Sequence, residues 1–182
     1  MDKTYRTEHF RTFLIEALPE PLTRSSSHLQ FFDNYIANTR MRLRSIRDPE
    51  TKEWTRLMQQ RLVLPSNVRK IAEIHLDEAE HAQFEMFEGT EIRKNRYFHE
   101  FDGRMFSFDV YLGKLWGINR ARVDFASEEE MLAFRPTPWS IYELTAEAFF
   151  DDANLVTKTL DEIRIAVEKL EPLTAAKAAP DQ

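Results

Sequence analysis

The stretch Tyr97–Leu155, YFHEFDGRMFSFDVYLGKLWGINRARVDFASEEEMLAFRPTPWSIYELTAEAFFDDANL, reads in order as a hairpin, a second strand, a capped helix and a further helix. In Phe106 to Tyr111 the apolar Phe106, Phe108 and Val110 alternate with Ser107, Asp109 and Tyr111, so two chemically different faces leave one strand. Ile118 to Phe125 repeats the pattern, sending Arg120, Arg122 and Asp124 to one side and Ala121, Val123 and Phe125 to the other. Gly113 and Gly117 punctuate the turn between them. Ser127, with Glu130 three positions on, predicts a reciprocal capping box, and Pro136 and Pro138 end that helix.

Working outward, Met1 to Pro19 fits either a helix or a strand over Thr7 to Ile15, and Pro19 to His28 reads as a loop. Leu29 to Tyr35 is a short strand or a helical turn. Thr39 to Ile46 sets Arg40, Arg42 and Arg44 on one face of a strand and Met41 and Leu43 on the other. Two guanidiniums about 7 Å apart on one strand face suit a polyanion, although alternation alone does not say which face is inside. Trp54 to Val63 and Val68 to Leu76 read as strands, and Asp77 to Phe87 as a helix opened by an Asp77/Glu80 capping box. Glu91 to Tyr97 is a strand with Lys94 and Arg96 on one face. His75 and His81 read as isolated, exposed polar residues. Ala153 to Leu170 spaces Val156, Leu160, Ile163, Val167 and Leu170 as one apolar helical stripe, and a disordered tail is expected from residue 173 to 182.

A chain of 182 residues, 42% hydrophobic and 31% charged, is long enough for one domain, expected over residues 1–172. Zero cysteines exclude disulfides, thiolate metal sites and cysteine nucleophiles. The net charge of -6 argues against a broadly basic nucleic-acid surface, and no apolar run suits a membrane span, so the expectation is a cytoplasmic protein. With four glycines and no glycine-rich loop, phosphate binding has to rest on side chains.

The ordered run Phe106, Asp109, Val110, Tyr111, Gly113, Leu115, Asp124, Ser127 to Glu130, Ala133, Phe134, Pro136, Pro138, Trp139, Glu143, Leu144, Thr145, Phe150 and Leu155 resembles the C-terminal half of the CYTH family, the triphosphate tunnel metalloenzymes. The resemblance implies an α+β fold: an antiparallel β-barrel around a hydrophilic tunnel, flanked by helices and ending in a C-terminal amphipathic helix. It favours a strand for Thr7 to Ile15 and turns the charged strand faces inward. It also implies a phosphate cradle of Arg42, Arg44, Lys94 and Arg96, with Arg122 as a further anion contact, and a metal set of Glu8, Glu73, Asp109 and Asp124 holding one magnesium or manganese ion.

Departures from the family pattern fall at Phe10, Thr12, Ile71, Arg122 and Ala148. They remove carboxylates and basic residues, and Arg122 places a cation where a metal ligand is expected. The expected function is therefore binding of a small triphosphate, polyphosphate or nucleotide polyanion with impaired or absent metal-dependent hydrolysis. The alternatives are a divergent active triphosphatase with a single metal site, and a non-catalytic scaffold acting through its surface or as a homodimer.

Overall fold

The computed structural model describes residues 5–63 and 69–173. Eight strands form a closed antiparallel barrel: β1 Arg6–Leu14, β2 Leu29–Ile36, β3 Met41–Arg47, β4 Trp54–Val63, β5 Arg69–Leu76, β6 Gly89–Phe101, β7 Arg104–Tyr111 and β8 Asn119–Phe125. Neighbours run β5-β4-β3-β2-β6-β7-β8-β1, and β1 closes the ring on β5 through Arg6↔Ile71 and Glu8↔Arg69. The rest of that β1 edge, at Phe13 and Leu14, pairs with a two-residue strand, β9 Tyr142–Glu143. Closure thus satisfies the backbone edges that an open sheet would present.

The β6–β7 hairpin turns through Asp102 and Gly103 at φ +50° and +69°. Two consecutive positive φ angles make the turn whose twist matches the strands it joins, which is why an Asp-Gly pair stands there. From that hairpin the register runs Asp109↔Arg96 and Asp109↔Arg120, so one charged residue from each of three neighbouring strands arrives at one level of the wall.

Because side chains alternate, the partners of those charged residues point out of the barrel. Phe106, Phe108, Ala121, Val123 and Phe13 form an outer core, closed by Trp139 and Phe134. The Trp139 ring meets Phe106 and Phe108 edge-on at centroid distances of 5.1 and 5.2 Å. Hence β7 buries both of its faces. A second apolar cluster, including Ile92, Tyr111, Leu115, Phe150 and Leu155, sits at one end of the barrel.

Among the described residues, four short helices accompany the strands: α1 Glu78–Phe84, α2 Glu128–Ala133, α3 Asp152–Leu155 and α4 Leu160–Val167. No described helix is long and apolar enough to cross a membrane. A 3₁₀ turn, Ala148–Phe150, leads into α3, and together they cross the end of the barrel. There they meet Arg69 at the start of β5, Lys94 on β6, Tyr111 at the end of β7 and Arg120 on β8.

Several expectations change in the structure. Leu29–Ile36 is a strand, paired on both sides with β3 and β6. The helical stripe from Ala153 to Leu170 is two helices, because Thr159 starts α4 with a reciprocal capping box to Glu162. Val156 and Ile163 remain buried, whereas Leu160 turns out to solvent. The Asp77/Glu80 box forms in full, but Ser127 only accepts from the Glu130 N–H, since the Glu130 carboxylate lies 3.5 Å from Arg104. His81 is buried, not exposed: Ser45 Oγ lies 2.9 Å from its Nε2, and burial lowers its pKa, against the pull of Glu85. Of the tail expected from residue 173, Leu173 instead packs on the outer core and donates its N–H to the Ile141 carbonyl, and residues 174–182 lie outside the described residues.

Candidate functional site

The inward faces of the strands enclose a cavity of about 530 Å³. Nine basic side chains and six carboxylates line it, with a seventh carboxylate, Asp33, directly behind the wall and 0% exposed. The wall is therefore rich in charge and biased towards cations.

Arg42 and Arg44 project from alternate positions of β3 onto Asp33 of β2. Arg44 forks onto it, with Nε 2.6 Å from Oδ1 and Nη2 2.7 Å from Oδ2, and Arg42 Nη1 reaches Oδ2 at 3.3 Å. Burial would raise the Asp33 pKa, but Arg42 and Arg44 overrule it and bring it down to about 2. Arg42 also donates to Tyr35 Oη at 3.0 Å and from Nε to Gln59 Oε1 at 3.0 Å.

Lys94 and Arg96, alternate residues of β6, meet Asp109 of β7. Arg96 forks onto it at 2.6 and 2.8 Å, while Lys94 Nζ lies 2.8 Å from Asp109 Oδ2 and 2.6 Å from Asp152 Oδ2. Asp152 also takes Tyr111 Oη–H at 2.5 Å and Arg120 Nη2 at 2.7 Å. Burial raises the pKa values of Asp109 and Asp152, yet the surrounding Arg96, Lys94 and Arg120 charges hold both far below the usual carboxylate range. Burial lowers the Lys94 pKa, against the pull of the Asp109 and Asp152 carboxylates in contact with it.

Around β1 the network is looser. Glu8 faces Arg61 Nε at 3.2 Å and Arg122 Nη2 at 3.1 Å, and Arg122 also holds Asp124. The Glu8 Oε2 and Arg61 Nε atoms lack a properly directed hydrogen bond despite their proximity. Burial and the like charge of Arg42 lower the Arg61 pKa, with Glu8 opposing and Arg122 adding to the lowering. Positive potential thus concentrates beside Arg61.

Phe10, one of the departures from the family pattern, stacks against two arginines. The Arg122 guanidinium lies 3.8 Å and that of Arg69 5.0 Å from its ring centroid. Phe31 likewise lies 4.7 Å from Arg44 and 4.6 Å from Arg96. An aromatic face attracts a guanidinium without cancelling its charge, so these rings hold arginines in place while leaving donors for another acceptor.

All nine residues anticipated for phosphate or metal line the cavity. The structure does not draw the four carboxylates into one cluster. Asp109 lies among Lys94, Arg96 and Arg120; Glu8 and Asp124 share Arg122; Glu73 accepts from Gln59 Nε2 at 2.8 Å and lies 3.7 Å from Arg6. Among the described residues, no group of three or more His, Cys, Asp or Glu side chains gathers as a metal site would require. Arranged in this way, the carboxylates do not fit a divalent cation: each already faces a basic side chain, and Arg122 stands between two of them.

Six charged lining residues, Arg6, Arg61, Arg69, Arg120, Asp151 and Asp152, were not anticipated, nor was Asp33 behind the wall. Parity was a usable signal for three, since Arg61 shares a face with Gln59, Arg120 with Arg122, and Asp33 with Phe31. Nothing local marks Asp152, which arrives from outside the barrel.

No protein-family model matches the chain. Over 70 residues it is 39% identical to an inorganic triphosphatase of Nitrosomonas europaea, a match covering 36% of this chain and 46% of that relative. It therefore spans about half the length of that relative. The crystal structure of an inorganic triphosphatase superposes with a TM-score of 0.58 at 24% identity, covering 84% of this chain and 96% of the other.

Proposed function

We propose that this chain, a CYTH-type tunnel-fold protein, binds a triphosphate or a nucleotide polyanion through arginine and lysine, without a resident metal ion. The observation that carries this reading is the charge of the tunnel wall: nine cations face seven carboxylates, Asp33 behind the wall included. Arg61 and Arg122 flank a single glutamate, and Phe10 and Phe31 support four guanidiniums. Guanidinium forks match phosphate oxygens in geometry as well as charge, and in a confined cavity their attraction is less screened than at the surface. In this reading Arg122 supplies positive charge where the family pattern has a metal ligand, and hydrolysis is impaired or absent because nothing polarises the transferred phosphoryl group.

Thermal unfolding with inorganic tripolyphosphate, in EDTA and in magnesium or manganese, tests this. A ligand at a hundred times its Kd adds roughly 2.7 kcal/mol to native-state stability. The expected result is an equal rise in Tm with and without metal, together with negligible phosphate release. No rise in either condition overturns the reading and favours a scaffold. A rise only with metal, accompanied by phosphate release, favours a second reading, a metal-dependent triphosphate hydrolase, which the 39% identity to an inorganic triphosphatase supports. In that case Glu8, Glu73 and Asp124 would have to leave their arginines.

A further inference from the structure

The carboxylates inside this tunnel have two origins. Glu8, Asp33, Glu73, Asp109 and Asp124 sit on barrel strands, so their backbones are fixed by the ladders that make the barrel. Asp151 and Asp152 come from the segment laid across its end. That segment is anchored by apolar contacts of Phe150, Leu155 and Val156, not by strand pairing. Its two acids reach in from this anchor: Asp151 to Arg69, and Asp152 to Lys94, Arg120 and Tyr111.

Asp152 accepts from an ammonium and a phenolic hydroxyl at 2.6 and 2.5 Å, and a guanidinium nitrogen lies 2.7 Å from it as an ion-pair partner. A phosphate oxygen pair would use the same donors in the same way. The side chain is 5% exposed, and no barrel strand depends on it for pairing. With Asp152 present, the local group holds Lys94, Arg96 and Arg120 against two carboxylates; with its charge removed, the same three cations face Asp109 alone.

We infer that Asp152, assisted by Asp151, is a built-in carboxylate that occupies the phosphate-type donors at this end of the tunnel and competes with an incoming anion. It sets how strongly the tunnel binds its ligand. The inference rests on the anion-binding reading above and deepens it: the affinity of the tunnel is held down by the chain itself. Asp152 is a specificity-determining residue here, and Lys94 and Arg120 are the cations it withholds.

The test is calorimetric titration of sodium tripolyphosphate in EDTA into the full-length wild type, Asp152→Asn, Asp151→Asn, and Glu91→Gln on the outer surface as a control. Removal of one competing, charge-assisted acceptor predicts binding at least about tenfold tighter in Asp152→Asn, a gain of about two- to threefold in Asp151→Asn, and none in Glu91→Gln. A purely structural Asp152 lowers stability without tightening binding. Wild type that binds while folded Asp152→Asn binds no tighter overturns this inference and leaves the anion-binding reading intact. Binding by Asp152→Asn alone supports the inference in its strongest form. Absence of binding in every chain overturns both. Should Asp152→Asn fail to fold, Asp151→Asn decides: no gain there overturns the inference.

Discussion

The two ends of the tunnel use the same side chains for different physical purposes. Near the crossing segment, the buried Lys94, Asp109 and Asp152 interlock with the partly buried Arg96 and Arg120, and among their donors Arg120 Nε lacks a partner. Around the buried Glu8, the arginines are a fifth to a third exposed, Asp124 is largely in solvent, and Glu8 Oε2 and Arg61 Nε lack a directed hydrogen bond although both arginines donate to Glu8 Oε1. A buried ion network is costly to break and expensive to desolvate, whereas an exposed one contributes little to stability and stays available to a ligand. The comparison teaches that a charged lining is not by itself a binding site. The cations that bind best are those whose partners can be displaced.

The largest test of this contrast is Lys94→Met. It leaves Asp109 and Asp152 with fewer counter-charges in a dry site, and about 3–5 kcal/mol of stability should be lost in urea unfolding at pH 7. A loss below about 1 kcal/mol would erase the distinction between the two ends.

Acid titration of stability comes next. The folded pKa of Asp33, about 2, lies below its ordinary value of 3.8, so its contribution is full above that ordinary value and disappears as pH falls through the folded one. Unfolding free energy should fall slightly from pH 7 to about 5, because the unfolded His81 takes up a proton that its buried ring resists, and then lose roughly 2 kcal/mol from Asp33 between about pH 4 and 2, with Asp109 and Asp152 adding to the same slope. A loss between pH 7 and 5 larger than that between pH 4 and 2 would assign the acid sensitivity to groups other than these carboxylates.

At the Glu8 end the expected effects separate. Arg61→Met and Arg122→Met should each cost less stability than Lys94→Met, because the buried Glu8 keeps the other arginine. Each should also weaken tripolyphosphate binding by about tenfold, as isothermal titration would read it. Equal losses of stability and affinity would mean that this end is as structural as the other. The smallest effect belongs to Asp124→Asn: stability within about 0.5 kcal/mol of wild type in the same urea assay, since its side chain is 62% exposed.

Much of the architecture was legible locally. The period-two alternation at Phe106 to Tyr111 and Ile118 to Phe125, the Asp-Gly turn and the Asp77/Glu80 cap each encode their element in a few adjacent residues, because backbone direction repeats every two residues in a strand. The same parity placed Arg42, Arg44, Lys94, Arg96 and Arg122 on common faces, and those faces do line the cavity. Other features were read otherwise. Alternation did not disclose that β7 is buried on both sides, since an ion-paired lumen and an aromatic core produce the same pattern as water and a core. Periodicity drew one helix through Ala153 to Leu170, where the Thr159 cap makes two.

Parity along a strand is a local property and the sequence alone determined it: which residue types share a face, and that the charged faces carry more cations than acids. The pairing of those charges was decided only by the tertiary structure. Lys94 meets Asp152 across 58 positions of chain, and Arg61 meets Glu8 across 53. Closure and stagger of the barrel, together with the apolar anchoring of the crossing segment, bring such residues to one level, and no periodicity within a single strand encodes that stagger.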